Sequence, residues 1–375
     1  MTTYRYIAPC HFGLEKTLSF EIKRLGAQDV AASDGSVQFS GDAALCARAN
    51  IALSVAERVC VVLGQFRAAT FDELFEGVRA LPLSEFIGRG DAFPNTGYSL
   101  NSKLTSIPAC QRSIKKAMAV NLMRAYGVNS LPETGACCRI RFSLMKDVCT
   151  VMLDTSGEGL HKRGYRRESN AAPIKETLAA GITDLARVRA GEFVCDPFCG
   201  SGTLLIEAAY KALGIAPGLR RRFAGEALGF LPERLWQQAR EEAREAIRRD
   251  VQFTAAGFDI DPECVRLTLE NAKKAGVSAY ISAQTRAIKD YAPPAQAVKL
   301  ITNPPYGERL LEKEQAQEIY RTMGRVLLPL DGSQLYVITP DGEFEELFGQ
   351  KADKNRKLYN GMMLCRLYSY YKNEA

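Results

Sequence analysis

Residues 303–306 read Asn-Pro-Pro-Tyr and follow a short apolar run at 298–302. Two prolines fix φ and remove two N–H donors, so the backbone is stiff and turns its carbonyls outward. The side-chain oxygen of Asn303 and one carbonyl of the Pro304-Pro305 pair can accept together from a single planar –NH2 group. The ring of Tyr306 can stack on a base. These residue types in this order suit the capture of an exocyclic amine, with its nitrogen held toward a neighbouring electrophile.

A second group lies upstream. Asp196-Pro197-Phe198-Cys199-Gly200-Ser201-Gly202-Thr203 joins an apolar run at 193–195 to a helix expected over 204–213. Its glycines allow a tight turn and close approach of a ligand to the backbone, and the helix start offers free N–H groups. Neither G-x-G-x-x-G nor G-x-x-x-x-G-K-[ST] is present, so the loop implies neither a dinucleotide nor a triphosphate. An acid at the strand end repels pyrophosphate and suits a cationic ligand such as a sulfonium amino acid. Cys199 reads as a small packing residue, because amine methylation needs no nucleophilic thiol.

The third group is Gly257-Phe-Asp-Ile-Asp-Pro262. It puts Asp259, with Ile260 beside it, where a carboxylate accepts from ribose hydroxyls. Asp261 suits the cap of a helix that starts at Pro262. Asp290, after a strand expected near 280–285, is either a contact to a cofactor base or an ordinary loop acid. About 60 residues separate Asp259 from the glycine loop, against about 20 in the simplest dinucleotide fold. Residues 215–250 are therefore an insertion, with a charged helix over 233–249.

These groups need strands and helices to hold them. From about residue 170 apolar strands at 193–195, 253–258, 298–302 and 335–339 alternate with helices, the pattern of a doubly wound parallel sheet. Residues 357–371 hold two strand-like runs around Asn360-Gly361, a hairpin signal that predicts an antiparallel strand at the sheet edge. Before residue 155 short strands and helices mix. Strands are expected at 4–8, 36–39, 60–66 and 98–104, and a hairpin at 139–154. Helices are expected at 13–25, 41–50 and 71–80 (capped by Thr70 or Asp72), and another capped by Ser113.

The 375 residues carry 49 Lys and Arg against 43 Asp and Glu, a net charge of +6 that permits a nucleic-acid partner without requiring one. Apolar residues at 46% and charged residues at 25% fit a globular chain of two or three domains. The eleven cysteines are scattered and form no C-x-x-C pair, which argues against a disulfide framework and a zinc site. No signal peptide and no membrane-length apolar stretch is evident, so a cytoplasmic location is expected, with no metal and no membrane partner. The sequence sets no oligomeric state.

DPFCGSGT, GFDIDP and NPPYGERL, in this order, resemble the S-adenosylmethionine-dependent amino-methyltransferases of the Asn-Pro-Pro-Tyr type. LHKRGYR at 160–166, PIKETLAAGI at 173–182 and IAPGLRRRF at 215–223 resemble the large-subunit rRNA branch of the THUMP-domain RNA guanine-N2 methyltransferases. NSKLTSIPACQRSIKKA resembles the THUMP module, and 1–55 the ferredoxin-like domain preceding it. The resemblance implies a ferredoxin-like α+β unit at 1–55, a THUMP α/β domain at 56–156, and a Rossmann-like α/β domain with a seven-stranded methyltransferase sheet at 157–375. It implies S-adenosylmethionine on Asp196–Thr203, Asp259, Ile260, Asp290 and Asn303, and a target base on Asn303, Pro304, Pro305 and Tyr306. It also implies RNA-backbone contacts at Lys103, Lys115, Lys116, Arg163, Arg166 and Arg167. The expected reaction is methylation of guanine N2 in 23S rRNA. Guanine N2 in tRNA, and adenine N6 in DNA or RNA, are the alternatives, since the Asn-Pro-Pro-Tyr pattern also serves other amines.

Overall fold

The structure, a computed structural model, describes residues 2–166, 174–295, 297–307 and 310–371, with the backbone alone at 310 and 311. Two compact units are each assembled from separate stretches. Residues 1–9, 19–160 and 221–242 form one, and 10–18, 161–220 and 243–375 form the other.

Up to Asp154 the chain runs β1 (Tyr4–Pro9), α1 (Glu15–Arg24), β2 (Gln28–Ser33), β3 (Ser36–Gly41), α2 (Ala43–Ala52), β4 (Cys60–Arg67), α3 (Phe71–Arg79), β5 (Asn95–Leu100), α4 (Ile107–Tyr126), β6 (Ile140–Met145) and β7 (Val148–Asp154). The strands form one sheet in the order β2-β3-β1-β4-β7-β6-β5. All neighbours are antiparallel except β5 and β6. Thr70 caps α3 reciprocally: its hydroxyl accepts from Glu73 N at 3.2 Å, and the Glu73 carboxylate accepts from Thr70 N at 3.3 Å.

Several boundaries differ from the sequence expectation. Strand β2 had no signal, because five of its six residues are exposed on a sheet edge and no apolar alternation results. The fourth helix starts at Ile107, not near Ser113, because Ser106 is the N-cap residue and Pro108 fits the first turn with its preset φ. The strand before it ends at Leu100, where Asn101 turns to φ +52°.

The second unit holds α5 (Glu176–Leu185), β8 (Phe193–Asp196), α6 (Thr203–Leu213), β9 (Thr254–Asp259), α8 (Pro262–Ala275), β10 (Ile281–Thr285), β11 (Lys299–Thr302), α9 (Leu310–Leu327), β12 (Gln334–Thr339), α10 (Phe344–Phe348), β13 (Lys354–Asn360) and β14 (Met363–Tyr371), while α7 (Glu233–Glu245) lies in the insertion. Its sheet order is β10-β9-β8-β11-β12-β14-β13. Strand β14 alone runs antiparallel to the rest. It does not lie at the edge as expected. Its buried centre fits an inner position between β12 and β13, and the largely exposed β13 takes the edge. The chain winds outward from β8 to β10, then returns to β11 and winds the other way. Ligands bind at the carboxyl ends of strands at such a switch point. Among the described residues no helix is long and apolar enough to cross a membrane.

The insertion helix α7 ends at Glu245, short of the expected 249. Trp236 on it is 1% exposed and stacks on Phe223, with ring centroids 5.4 Å apart at 20°. Residues 221–242 belong to the first unit. Trp236→Ala should therefore destabilise that unit by about 3–5 kcal/mol, the usual cost of removing a large buried aromatic. Urea unfolding followed by circular dichroism measures the loss.

Candidate active site

The last residue of β8, Asp196, is 2% exposed. Its Oδ1 accepts from Thr302 Oγ1 at 2.6 Å and from Phe198 N at 3.0 Å. Burial pushes this carboxyl up and the Asp259 charge adds to the rise, while the two hydrogen bonds pull it down, leaving it at about 7. The hydroxyl comes from the final residue of β11, so the first and third sequence motifs meet through one bond.

Asp259, ending β9, clips the glycine loop to its own strand. Gly200 N donates to its Oδ2 at 3.0 Å, and Asp261 N donates to its Oδ1 at 3.0 Å. Asp261 is the cap of α8, accepting from Glu263 N at 2.9 Å. From α8, Thr268 Oγ1 donates to Gly200 O at 2.9 Å and Asn271 Nδ2 to Ser201 O at 3.0 Å. Gly202 has φ +79°, and a Cβ there would lie 2.9 Å from Thr268 Cγ2, so no larger residue fits. Cys199 is buried, which pushes its thiol up, and it takes a hydrogen bond from Thr268 at 3.5 Å. That environment disfavours the thiolate.

The Asn303–Tyr306 segment leaves the neighbouring strand end. Tyr320 of α9 donates to the Pro305 carbonyl at 3.2 Å and also contacts Thr339 Oγ1 at 2.9 Å, fixing the loop from below. Asn360 Nδ2 donates to Tyr306 Oη at 3.4 Å.

One cavity of about 730 Å³ collects these parts. Asp196, Pro197, Phe198, Cys199, Gly200, Ser201, Thr203, Asp259, Ile260 and all of Asn303–Tyr306 line it. Gly202 does not; it turns the loop from behind. Asp290 is exposed, in a short 3-10 turn (Ile288–Asp290), and does not line the cavity. Arg286, Ala287 and Ile288 line that side instead, because the chain enters the cavity wall directly after β10. These three carry no motif and gave no sequence signal. Ile174, Leu204, Cys264, Glu312 and Ile319 were also missed; they come from flanking segments. Ile260, also expected there, lines the cavity and is 74% exposed.

The residues fit S-adenosylmethionine. The cavity volume lies in the range of small-ligand sites. A buried carboxyl near 7 gains from a cation, the Cβ position of Gly200 is open with no atom within 4 Å, and Ile260 offers a flat apolar contact.

The proposed RNA contacts divide. Lys103 and Lys116 are exposed. Lys115 is not a free cation: its Nζ pairs with Glu133 at 2.5 Å and sits 3.5 Å from the Phe93 ring centroid. Arg163 is 5% exposed and pairs with Glu207 at 3.5 Å. Arg166 turns inward to Glu176 at 2.9 Å, the Ile174 carbonyl at 3.0 Å and Thr203 Oγ1 at 3.3 Å. For the two arginines the positive charge serves packing, since the buried carboxylates of Glu207 and Glu176 require a partner. Arg167 lies outside the described residues. Among the described residues no cluster of three or more metal-ligating side chains occurs.

Two outcomes follow from this geometry. Asp259→Ala should weaken S-adenosylmethionine binding by about tenfold or more in calorimetry, the worth of hydrogen bonds to a charged acceptor. Affinity for this cationic ligand should rise with pH through about 7, as Asp196 ionises. The Thr302 hydroxyl lowers that pKa, so Thr302→Val should move the midpoint to higher pH.

Residues 163–369 match the family described as "RMKL-like, methyltransferase domain", residues 5–60 the "RlmL ferredoxin-like domain" and residues 68–154 the THUMP domain. The "Putative RNA methyltransferase YpsC" of Bacillus subtilis (strain 168) is 40% identical over 99% of this chain and 97% of its own length. The "Ribosomal RNA large subunit methyltransferase K/L" of Syntrophotalea carbinolica is 32% identical over 98% of this chain, which spans only 53% of that relative. The solved structure of SMU.472 "complexed with SAH" matches with a TM-score of 0.94 and 38% identity, covering 100% of both chains. The glycine loop, Asp259 and the Asn303–Tyr306 segment share one cavity in the matched domain, and the chain belongs to the RlmK/L-like family of THUMP-domain RNA methyltransferases, which use S-adenosylmethionine.

Proposed function

We propose that this chain methylates the exocyclic N2 of a guanine in RNA, with large-subunit rRNA as the substrate. The observation that carries the reading is that Asn303–Tyr306 share one cavity with the glycine loop and Asp259. S-adenosylmethionine supplies, when bound, a methyl group as electrophile. The chain's own residues bind and orient the amine. A base inside a helix cannot reach a cavity of this kind, so it is flipped out of its stack. The Asn303 amide oxygen and the Pro304 carbonyl accept from the two N–H groups of the amine. The Pro305 carbonyl is already engaged by Tyr320, which leaves the Pro304 carbonyl as the second acceptor. Accepting both protons favours the pyramidal, more nucleophilic nitrogen and the charge that develops there. Tyr306 stacks on the base. Holding the nitrogen in line with the electrophile supplies much of the remaining acceleration.

RNA as substrate is supported by the THUMP match and by the printed name of the K/L relatives. Guanine N2 is supported by the resemblance of the leading and insertion segments to the guanine-N2 branch. Lys103 and Lys116 are the exposed cations assigned to RNA phosphates. The eleven cysteines are scattered and form no C-x-x-C pair, in keeping with work in a reducing cytoplasm.

Asn303→Ala should reduce methyl transfer by about a hundredfold or more, the scale of losing a directed hydrogen-bonding group, with cofactor affinity retained. Nucleoside mass spectrometry of rRNA and tRNA from a strain lacking the gene should show loss of N2-methylguanosine from rRNA. Loss of 6-methyladenine from DNA, with RNA guanine methylation intact, would replace the substrate assignment.

A further inference from the structure

The most exposed large apolar side chain among the described residues is Met362, at 98%. It lies at the tip of the β13–β14 hairpin, where Asn360 pairs with Met363 across the two-residue loop Gly361-Met362. Gly361 has φ +64°, as the first central position of a type II′ turn requires. The tip is therefore a tight, defined turn that presents the methionine to solvent.

Register places this tip. Strand β12 ends at Thr339, which pairs with Arg366. The hairpin continues for three more residues to Met363, projecting about 10 Å past the carboxyl edge of the sheet at 3.3 Å per residue. The Asn-Pro-Pro-Tyr segment leaves β11 on that same edge, and Asn360 bonds to Tyr306 there. The tip thus stands beside the mouth of the cavity. It is braced rather than loose: Arg356 Nη1 donates to Gly13 O at 3.0 Å, and the Phe12 and Tyr359 rings meet edge to face at 5.7 Å. Phe12 is 52% exposed and Leu364, the register partner of Tyr359, 44%, so the hairpin exposes further apolar surface near its tip. Residues 354–366 carry four cations (Lys354, Arg356, Lys357 and Arg366) and no carboxylate, a charge suited to phosphates.

We propose that this hairpin tip receives the RNA nucleotides flanking the target base, with Met362 as the wedge that enters the stack where the base has left. Resting on the reading of the site as an RNA base methyltransferase, the inference adds the device that opens the stack. An extruded base leaves a gap between its neighbours, and unbranched or γ-branched apolar side chains fill such gaps in nucleic acids. Methionine is flexible enough to enter without exact shape complementarity. Met362 is a positioning residue, since it touches neither the amine nor the cofactor cavity.

The test compares wild type, Met362→Ser and Met362→Leu. The substrate is total RNA from a strain lacking the gene, with label followed from S-adenosylmethionine and SAH affinity measured by calorimetry. Met362→Ser should lower kcat/KM by about tenfold or more, the scale of one lost stacking contact, with SAH affinity unchanged. Met362→Leu should restore most of that loss. Met362→Ser activity within about twofold of wild type, or a Met362→Leu loss as deep as that of serine, overturns the wedge while RNA labelling by wild type leaves the parent reading standing. Wild type that labels DNA but not RNA overturns both.

Discussion

The arrangement of the site depends on one buried carboxyl. Asp196 ends β8, an inner strand of the second sheet, and is bonded to Thr302, the last residue of the central strand β11 beside it. Two strands of a parallel sheet are already joined by their backbones, but their loops diverge at the carboxyl edge. The side-chain bond keeps the roots of the two loops together just where the ladder ends. A carboxyl so placed is costly to ionise, and no cation among the described residues offsets that cost. Such a carboxyl suits a cationic neighbour, whose charge offsets the cost of its burial.

Around this centre the supporting interactions form a second layer. The basic segment at 160–166 works inward. Glu207 of α6 receives Tyr165 Oη at 3.0 Å and Arg163 at 3.5 Å, while Arg166 links Glu176 of α5 to Thr203 at the start of α6. Ion pairs this buried specify geometry more than they stabilise. Here they fix the helix whose N-terminus follows the glycine loop. On the other side α8 pins the loop through two carbonyls. The glycine loop is held from both flanks, and its freedom of φ is spent on shape rather than motion.

Sequence patterns pointed to the polar residues of this cavity better than to its walls. Asp196, Asp259 and Asn303 were legible because a polar residue ending an apolar run is conspicuous and its chemistry is local. The parallel sheet was legible from its buried strands for the same reason. Arg286 to Ile288 were not, because a cavity wall built from backbone and ordinary apolar side chains has no distinctive composition. The inward pairing of the arginines at 163 and 166 was not legible for a physical reason. A cation's partner is set by tertiary packing, and Glu207 lies 44 residues from Arg163 in the chain. Strand β2 was missed because an edge strand with both faces wet needs no alternation. Strand β14 was misplaced because a hairpin signal gives pairing but not which partner lies at the edge.

The short stretch at 10–18 has a consequence in time. It belongs to the second unit, where Gly13 accepts from Arg356, 343 residues away. A ribosome adds roughly 5–20 residues each second, so the strap emerges tens of seconds before the strand that braces it exists. Likewise the first unit lacks residues 221–242 until well after its sheet has been made. Neither unit can finish in the order in which it is synthesised, and the nascent chain must wait with the apolar Phe12 and Leu14 unburied by their final partners. Contacts of such sequence separation slow folding, and the second unit cannot close around this strap until β13 has been made.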